Sequence, residues 1–160
     1  MTPESIVEAV LKAARQARDE EPRIGIANSH EWATVGRIAV WLGRQPEILA
    51  LEQQGIFVDT EYGQMNVAEI KNINGRDVRI DMLVHRRGLH DANMVACEVK
   101  MSNAKSRCIE KCDRIKLEKL TTEYGYQLGL WISLPRQQGA RNRGRYVIVC
   151  SGVPRATQDL

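Results

Sequence analysis

The sequence predicts an α/β fold in which helices flank a mixed sheet, and three observations lead there. Up to Gly55, apolar residues recur at helical spacing. Beyond it, short β-rich runs alternate with one long helical stretch. Two of those runs form a hairpin and are followed by a helix and further strands, the order in which antiparallel pairing gives way to a crossover. With 160 residues, 43% of them hydrophobic, the chain suits one core. A single domain is expected over 1–153, with 1–28 as an N-terminal helical extension and 154–160 as a dispensable tail.

The elements follow in order. PESIVEAVLKAARQARDEE has Ile6, Val7, Val10, Leu11 and Ala14 at helical spacing. SHEWATVGRIAVWLGRQ begins with Ser29 as a plausible N-cap and aligns Trp32, Val35, Ile38, Ala39 and Leu42 on one face. Trp32, Trp41 and Trp131 are all read as core. Pro46 interrupts, and a short helix then runs to Gly55. IFVDTEY (56–62) is the first strand. RDVRIDMLVHR (76–86) alternates, with Val78, Ile80, Met82 and Val84 on one face and Arg79, Asp81, Leu83 and His85 on the other. A turn, GLHDAN, leads into MVACEVK (94–100). Residues 105–123 form a helix expected to pack through Cys108, Ile109, Cys112, Ile115 and Leu120, with Arg107, Lys111 and Arg114 on another side. YQLGLWISL (126–134) and RYVIVCSG (145–152) are the last two strands.

Charge is unevenly spread. Residues 1–75 hold 7 lysines and arginines against 11 acids, and residues 76–160 hold 16 against 9. Such an asymmetry suits a polyanion partner, although a solvated basic face would look the same. No window approaches the roughly 18 apolar residues of a membrane span, and the N-terminus is acidic where a signal peptide would be basic. No membrane association and a cytoplasmic location are therefore expected. Cys108 and Cys112 lie one helical turn apart, but Cys97 and Cys150 do not supply a second close pair for zinc. Reduced core cysteines are the better reading.

Chemistry gathers on the hairpin. Glu98 and Lys100, at i and i+2, share one face of their strand. If Asp81 meets Glu98 across the hairpin, two carboxylates can hold a hard divalent cation, Mg²⁺ or Mn²⁺, whose shell water and phosphate complete. Lys100 beside them could orient the attacking water and stabilise charge on a phosphate. As spacing alone, D-x16-E-x-K is a weak signal, and E-x-K at a strand end is commonly a surface pair. His85, Arg86 and Arg87 either bind phosphate or form the polar end of a strand entering the bend at Gly88. Asp113 and Lys116 read first as a helix-surface pair and second as site residues. Tyr124 and Tyr126 read as packing, and the Arg-rich loop 136–145 as a mobile segment that could meet a nucleic-acid backbone.

Together, VDTEY, IDMLVHRRG, NMVACEVK and CDRIKLEKLTTEYGYQLGLWISL, over about residues 56–134, resemble a bacterial group within the PD-(D/E)XK nuclease superfamily. The group's elements are D-x-E-Y, D-x3-H-R-R-G, E-x-K, D-x2-K-L and Y-G-Y. The resemblance implies a restriction-endonuclease-like fold and a Mg²⁺- or Mn²⁺-dependent endonuclease acting on nucleic acid, DNA in preference to RNA. It implies Asp81 and Glu98 as metal acids, Lys100 as the catalytic lysine, and Glu61 as a further metal contact. Glu31 is a candidate because many members bring a glutamate from the first core helix. Nucleic-acid contacts are expected from His85, Arg86, Arg87, Lys105, Arg107, Lys111 and Arg114. A homodimer is plausible, since cutting a duplex needs two sites or two visits. Arg79-Ile80 departs from the superfamily's proline before the acid, which is often absent. A non-catalytic nucleic-acid-binding or interaction protein on the same fold is the alternative.

Overall fold

The computed structural model describes residues 1–20, 31–62, 72–73, 76–77, 79–87, 91–102, 107–135 and 144–160. Three helices open the chain: α1 (Pro3–Glu20), α2 (Glu31–Gly43) and α3 (Pro46–Glu52). Then come strands β1 (Ile56–Tyr62), β2 (Asn72–Ile73), β3 (Arg76–Asp77), β4 (Ile80–Arg86) and β5 (Asn93–Ser102). Helix α4 (Arg107–Glu123) follows, then β6 (Leu128–Pro135), β7 (Arg145–Cys150), β8 (Val153–Pro154) and β9 (Gln158–Asp159).

The main sheet has seven strands in the order β1-β4-β5-β6-β7-β8, with β9 also on β7; β2 and β3 pair separately. β5 and β6 run parallel, and the other pairings are antiparallel. A parallel pair needs a crossover, which α4 supplies. The expected mixed α/β architecture is present.

Both faces of the sheet are covered, and the two-residue period of each strand sorts its side chains between them. Met82, Val84, Val95, Cys97, Val99, Leu130 and Ile132 join the core built on α1, α2 and α3. Leu83, Ala96, Trp131, Val147 and Val149 join a smaller core with Leu117 and Leu120 of α4. Asp81, Glu98 and Lys100 have the parity of this second set, so they lie on the α4 side. Gly129 lets α4 come close, because a Cβ there would sit 3.0 Å from Leu117 Cβ and 3.2 Å from Val149 Cβ. Past α4, Gly125 takes a positive φ of 70° that turns the chain toward β6.

Several expectations change. The run 76–86 is two strands, β3 in the small hairpin and β4 in the main sheet; Val78 lies outside the described residues. Helix α4 packs through Asp113, Leu117 and Leu120, whereas Cys112 and Ile115 are exposed. Cys108 and Ile109 have side chains outside the described set. Trp131 is core and Trp41 half-buried, but Trp32 is 62% exposed. In the C-terminal stretch, β9 pairs with β7 and Leu160 belongs to the larger core, so it is part of the fold. Among the described residues, no helix is long and apolar enough to cross a membrane.

Candidate active site

Strand β5 carries the site's acid and base, and β4 brings the second acid alongside. The β4–β5 ladder pairs Met82 with Cys97. One step further, the Asp81 carboxylate accepts the Val99 amide at 2.8 Å. That bond secures Asp81 where the two backbones part.

Lys100 stands among four carboxylates. Its Nζ donates to Glu31 Oε1 at 2.6 Å and lies 3.8 Å from Asp81 Oδ2, 3.9 Å from Glu98 Oε2 and 3.8 Å from Asp113 Oδ2. Glu31 comes from the first turn of α2 and Asp113 from α4. A second lysine works from α4: Lys116 Nζ donates to Glu98 Oε1 at 2.6 Å and to the Arg79 carbonyl at 3.1 Å. The ion pairs are therefore crossed, the strand's acid meeting the helix's lysine and the helix's acid facing the strand's lysine.

Glu98 is only 1% exposed, and burial, reinforced by the charge of Asp81, pushes its carboxyl up to about 8 against the pull of Lys116. Burial also raises Asp113, with Lys100 and Lys116 opposing. For Lys100, burial works against the ammonium, but the Glu31 hydrogen bond and the charges of Asp81 and Asp113 outweigh it and hold the pKa above the ordinary lysine value. Among the described residues, Glu98 Oε2 and Asp113 Oδ2 are buried without a hydrogen-bond donor. Such atoms are uncommon in native proteins.

The donor set bears on metal binding. Among the described residues, no three His, Cys, Asp or Glu side chains form a group that could hold a metal ion. Lys100 itself stands between the acids. With fewer protein ligands, the arrangement left open is one in which a cation would take one or two carboxylates and complete its shell with water and phosphate. Two buried carboxyl oxygens face the cluster, in which four carboxyl groups surround two ammonium groups.

The other sequence candidates divide. The pairs Thr60–Met82 and Tyr62–Ile80 put the Glu61 backbone opposite Asp81; its side chain lies outside the described residues, as do the Arg107 side chain and Lys105. His85 is buried, with Nε2 3.0 Å from Asp59 Oδ2. Arg87 also hydrogen-bonds Asp59 and lies 4.7 Å over the Phe57 ring. The Arg87 hydrogen bond is the main cause that holds Asp59 below its usual range, against burial and with help from His85. Arg86 pairs with Asp91 at 2.7 Å. These three residues thus serve the β1–β4 end of the fold, while Lys111 is exposed and Arg114 half-buried on α4.

Asp113 and Lys116, read first as a surface pair, belong to the site. Asp113, Lys116, Leu117 and Leu120 have the i, i+3, i+4, i+7 spacing of one helix face, which is the signal that could have placed them. No protein-family model matches the chain, and neither a curated protein nor a solved structure matches it.

Proposed function

We propose that this chain is a Mg²⁺- or Mn²⁺-dependent nuclease of the PD-(D/E)XK kind, hydrolysing phosphodiester bonds in nucleic acid, DNA in preference to RNA. One observation carries the reading: Glu98 and Asp113 keep buried carboxylate oxygens without a donor, beside Asp81 and around a lysine. A buried oxygen left without a hydrogen bond costs stability, and a cation taking the place of the Glu98 proton would relieve it.

Asp81 and Glu98 would hold the cation, with Glu61 as a further donor at the neighbouring register position. When bound, the cation supplies a Lewis acid and acidifies a bound water. Lys116 holds Glu98 Oε1 and leaves Oε2 for the cation. Lys100 donates hydrogen bonds to the attacking water and stabilises negative charge on the phosphate. Glu31 holds the Lys100 ammonium in place.

A second reading, a non-catalytic binding protein, has its own support: Lys100 already has a carboxylate partner at 2.6 Å and three more within 3.9 Å. One assay separates the two. Supercoiled plasmid, single-stranded DNA and structured RNA are incubated with Mg²⁺ or Mn²⁺, using wild type, Glu98→Ala and Lys100→Ala, with an EDTA blank. The nuclease reading expects metal-dependent cutting that falls about a hundredfold or more in both variants. If wild type cuts none of the three and calorimetry shows no Mn²⁺ uptake, the binding reading replaces it.

A further inference from the structure

The four carboxyl groups around Lys100 cannot all serve it once a cation is bound. Glu31 Oε1 accepts from its Nζ at 2.6 Å, while Asp81 Oδ2, Glu98 Oε2 and Asp113 Oδ2 stand back at 3.8, 3.9 and 3.8 Å. In the proposed function Asp81 and Glu98 go to the cation, which leaves Glu31 and Asp113 for the ammonium. These two differ in their surroundings. The Glu31 side chain is 38% exposed and that of Asp113 only 9%. Water and salt screen a charge at the surface far more than one inside, so Asp113 faces Lys100 with the less screened charge. Its helix fixes it there: Leu117 and Leu120, at i+4 and i+7 from Asp113 on α4, are fully buried. Among the described residues its Oδ2 has no hydrogen-bond donor, so that oxygen is not committed elsewhere. A direct hydrogen bond to Lys100 needs the two groups to close by about 1 Å.

We infer that Asp113 is a positioning residue: when Asp81 and Glu98 engage a cation, it takes the Lys100 ammonium as a direct hydrogen-bond partner. A divalent cation repels an ammonium beside it, and Asp81 and Glu98 then share their charge with the cation. Asp113 on one side of the sheet and Glu31 on the other supply the remaining counter-charge. Without Asp113, the ammonium is left to the more exposed Glu31 and is drawn toward the surface. The inference rests on the nuclease reading for the cation and gives a role to an acid that this reading leaves without one.

The test follows the Lys100 ammonium itself, by proton–nitrogen NMR of lysine-labelled wild type, Asp113→Asn and Asp113→Glu, each in EDTA and in Mg²⁺. Lys100→Arg assigns the signal by its loss. In Mg²⁺, proton exchange from the ammonium is expected to speed up about tenfold or more in Asp113→Asn, with a much smaller change in EDTA. Asp113→Glu, which keeps the charge, is expected to hold the signal near that of wild type. In cleavage, Asp113→Asn should lower kcat about tenfold with KM within about threefold. Calorimetry should find its Mn²⁺ affinity within about threefold of wild type. A purely structural part for Asp113 gives the same loss of signal with and without Mg²⁺, and that outcome overturns the inference. So does a Mn²⁺ affinity that falls as far as in Glu98→Ala, which would make Asp113 a cation ligand. Cation uptake by wild type with an unmoved Lys100 signal in Asp113→Asn removes this inference alone. No cation uptake and no cutting by wild type removes the nuclease reading and this inference with it.

Discussion

Between about pH 4.5 and 8 the folded chain keeps a proton on Glu98 that an unfolded chain releases, since burial and the charge of Asp81 raise the carboxyl across that interval. The stabilisation linked to this proton is complete below about 4.5 and is lost as pH rises through about 8. Asp59 has the opposite sign: its depressed pKa gives stability that is present above the ordinary aspartate range and lost on acidification, outside the Glu98 window. In EDTA, stability of wild type is expected to decline from pH 5 to 8 with a Glu98 component of at most about 1.4 kcal/mol per pH unit, and Glu98→Gln is expected to lack that component. Thermal melts across the interval would decide it, and parallel curves for the two proteins would count against the buried-proton account. The sequence made Asp81, Glu98 and Lys100 legible because a strand's period of two is simple. It left Glu98's solvation hidden, since burial there depends on α4 lying over the strand.

Helix α4 positions half of the cluster, and Gly129 sets its distance from the sheet. Leu117 Cβ would lie only 3.0 Å from a Cβ on residue 129, and the preceding residue, Lys116, reaches both Glu98 and the Arg79 carbonyl. Gly129→Val should cost about 2 kcal/mol by forcing Leu117 and Val149 apart; urea denaturation measures it, and an unchanged midpoint would show that α4 can shift freely. The presence of α4 was legible from its apolar spacing. Its inward face was not, because Cys112 and Ile115 look more apolar than Asp113 and Lys116, and hydropathy gives no credit for charges that neutralise one another across a sheet. Trp32 was misjudged for a related reason. Its spacing placed it with Val35, Ile38 and Leu42, but it stands at the edge of that face, about 60° round from Val35, where a large ring reaches solvent.

At the scale of the molecule, the final residues close one side of the larger core. Leu160 is buried, its amide donates to the Gly144 carbonyl at 3.1 Å, and β9 pairs with β7. Leu160→Ala is expected to lower stability by about 2 kcal/mol, read by denaturant titration; a loss within error would mean that the residue is peripheral. Strand order was legible from alternation and turns, but the two-residue strands β8 and β9 are too short to carry a period. Lys100 has a consequence that reaches beyond its chemistry. Its partners come from the helix layer on one side of the sheet, from the sheet itself and from the helix on the other, through Glu31, Asp81 and Asp113. The lysine is thus a rivet through all three layers, and a variant without it is expected to lose mechanical closure as well as a charge. Under the nuclease proposal, a silent Lys100→Ala would report a loosened molecule as much as a missing reagent.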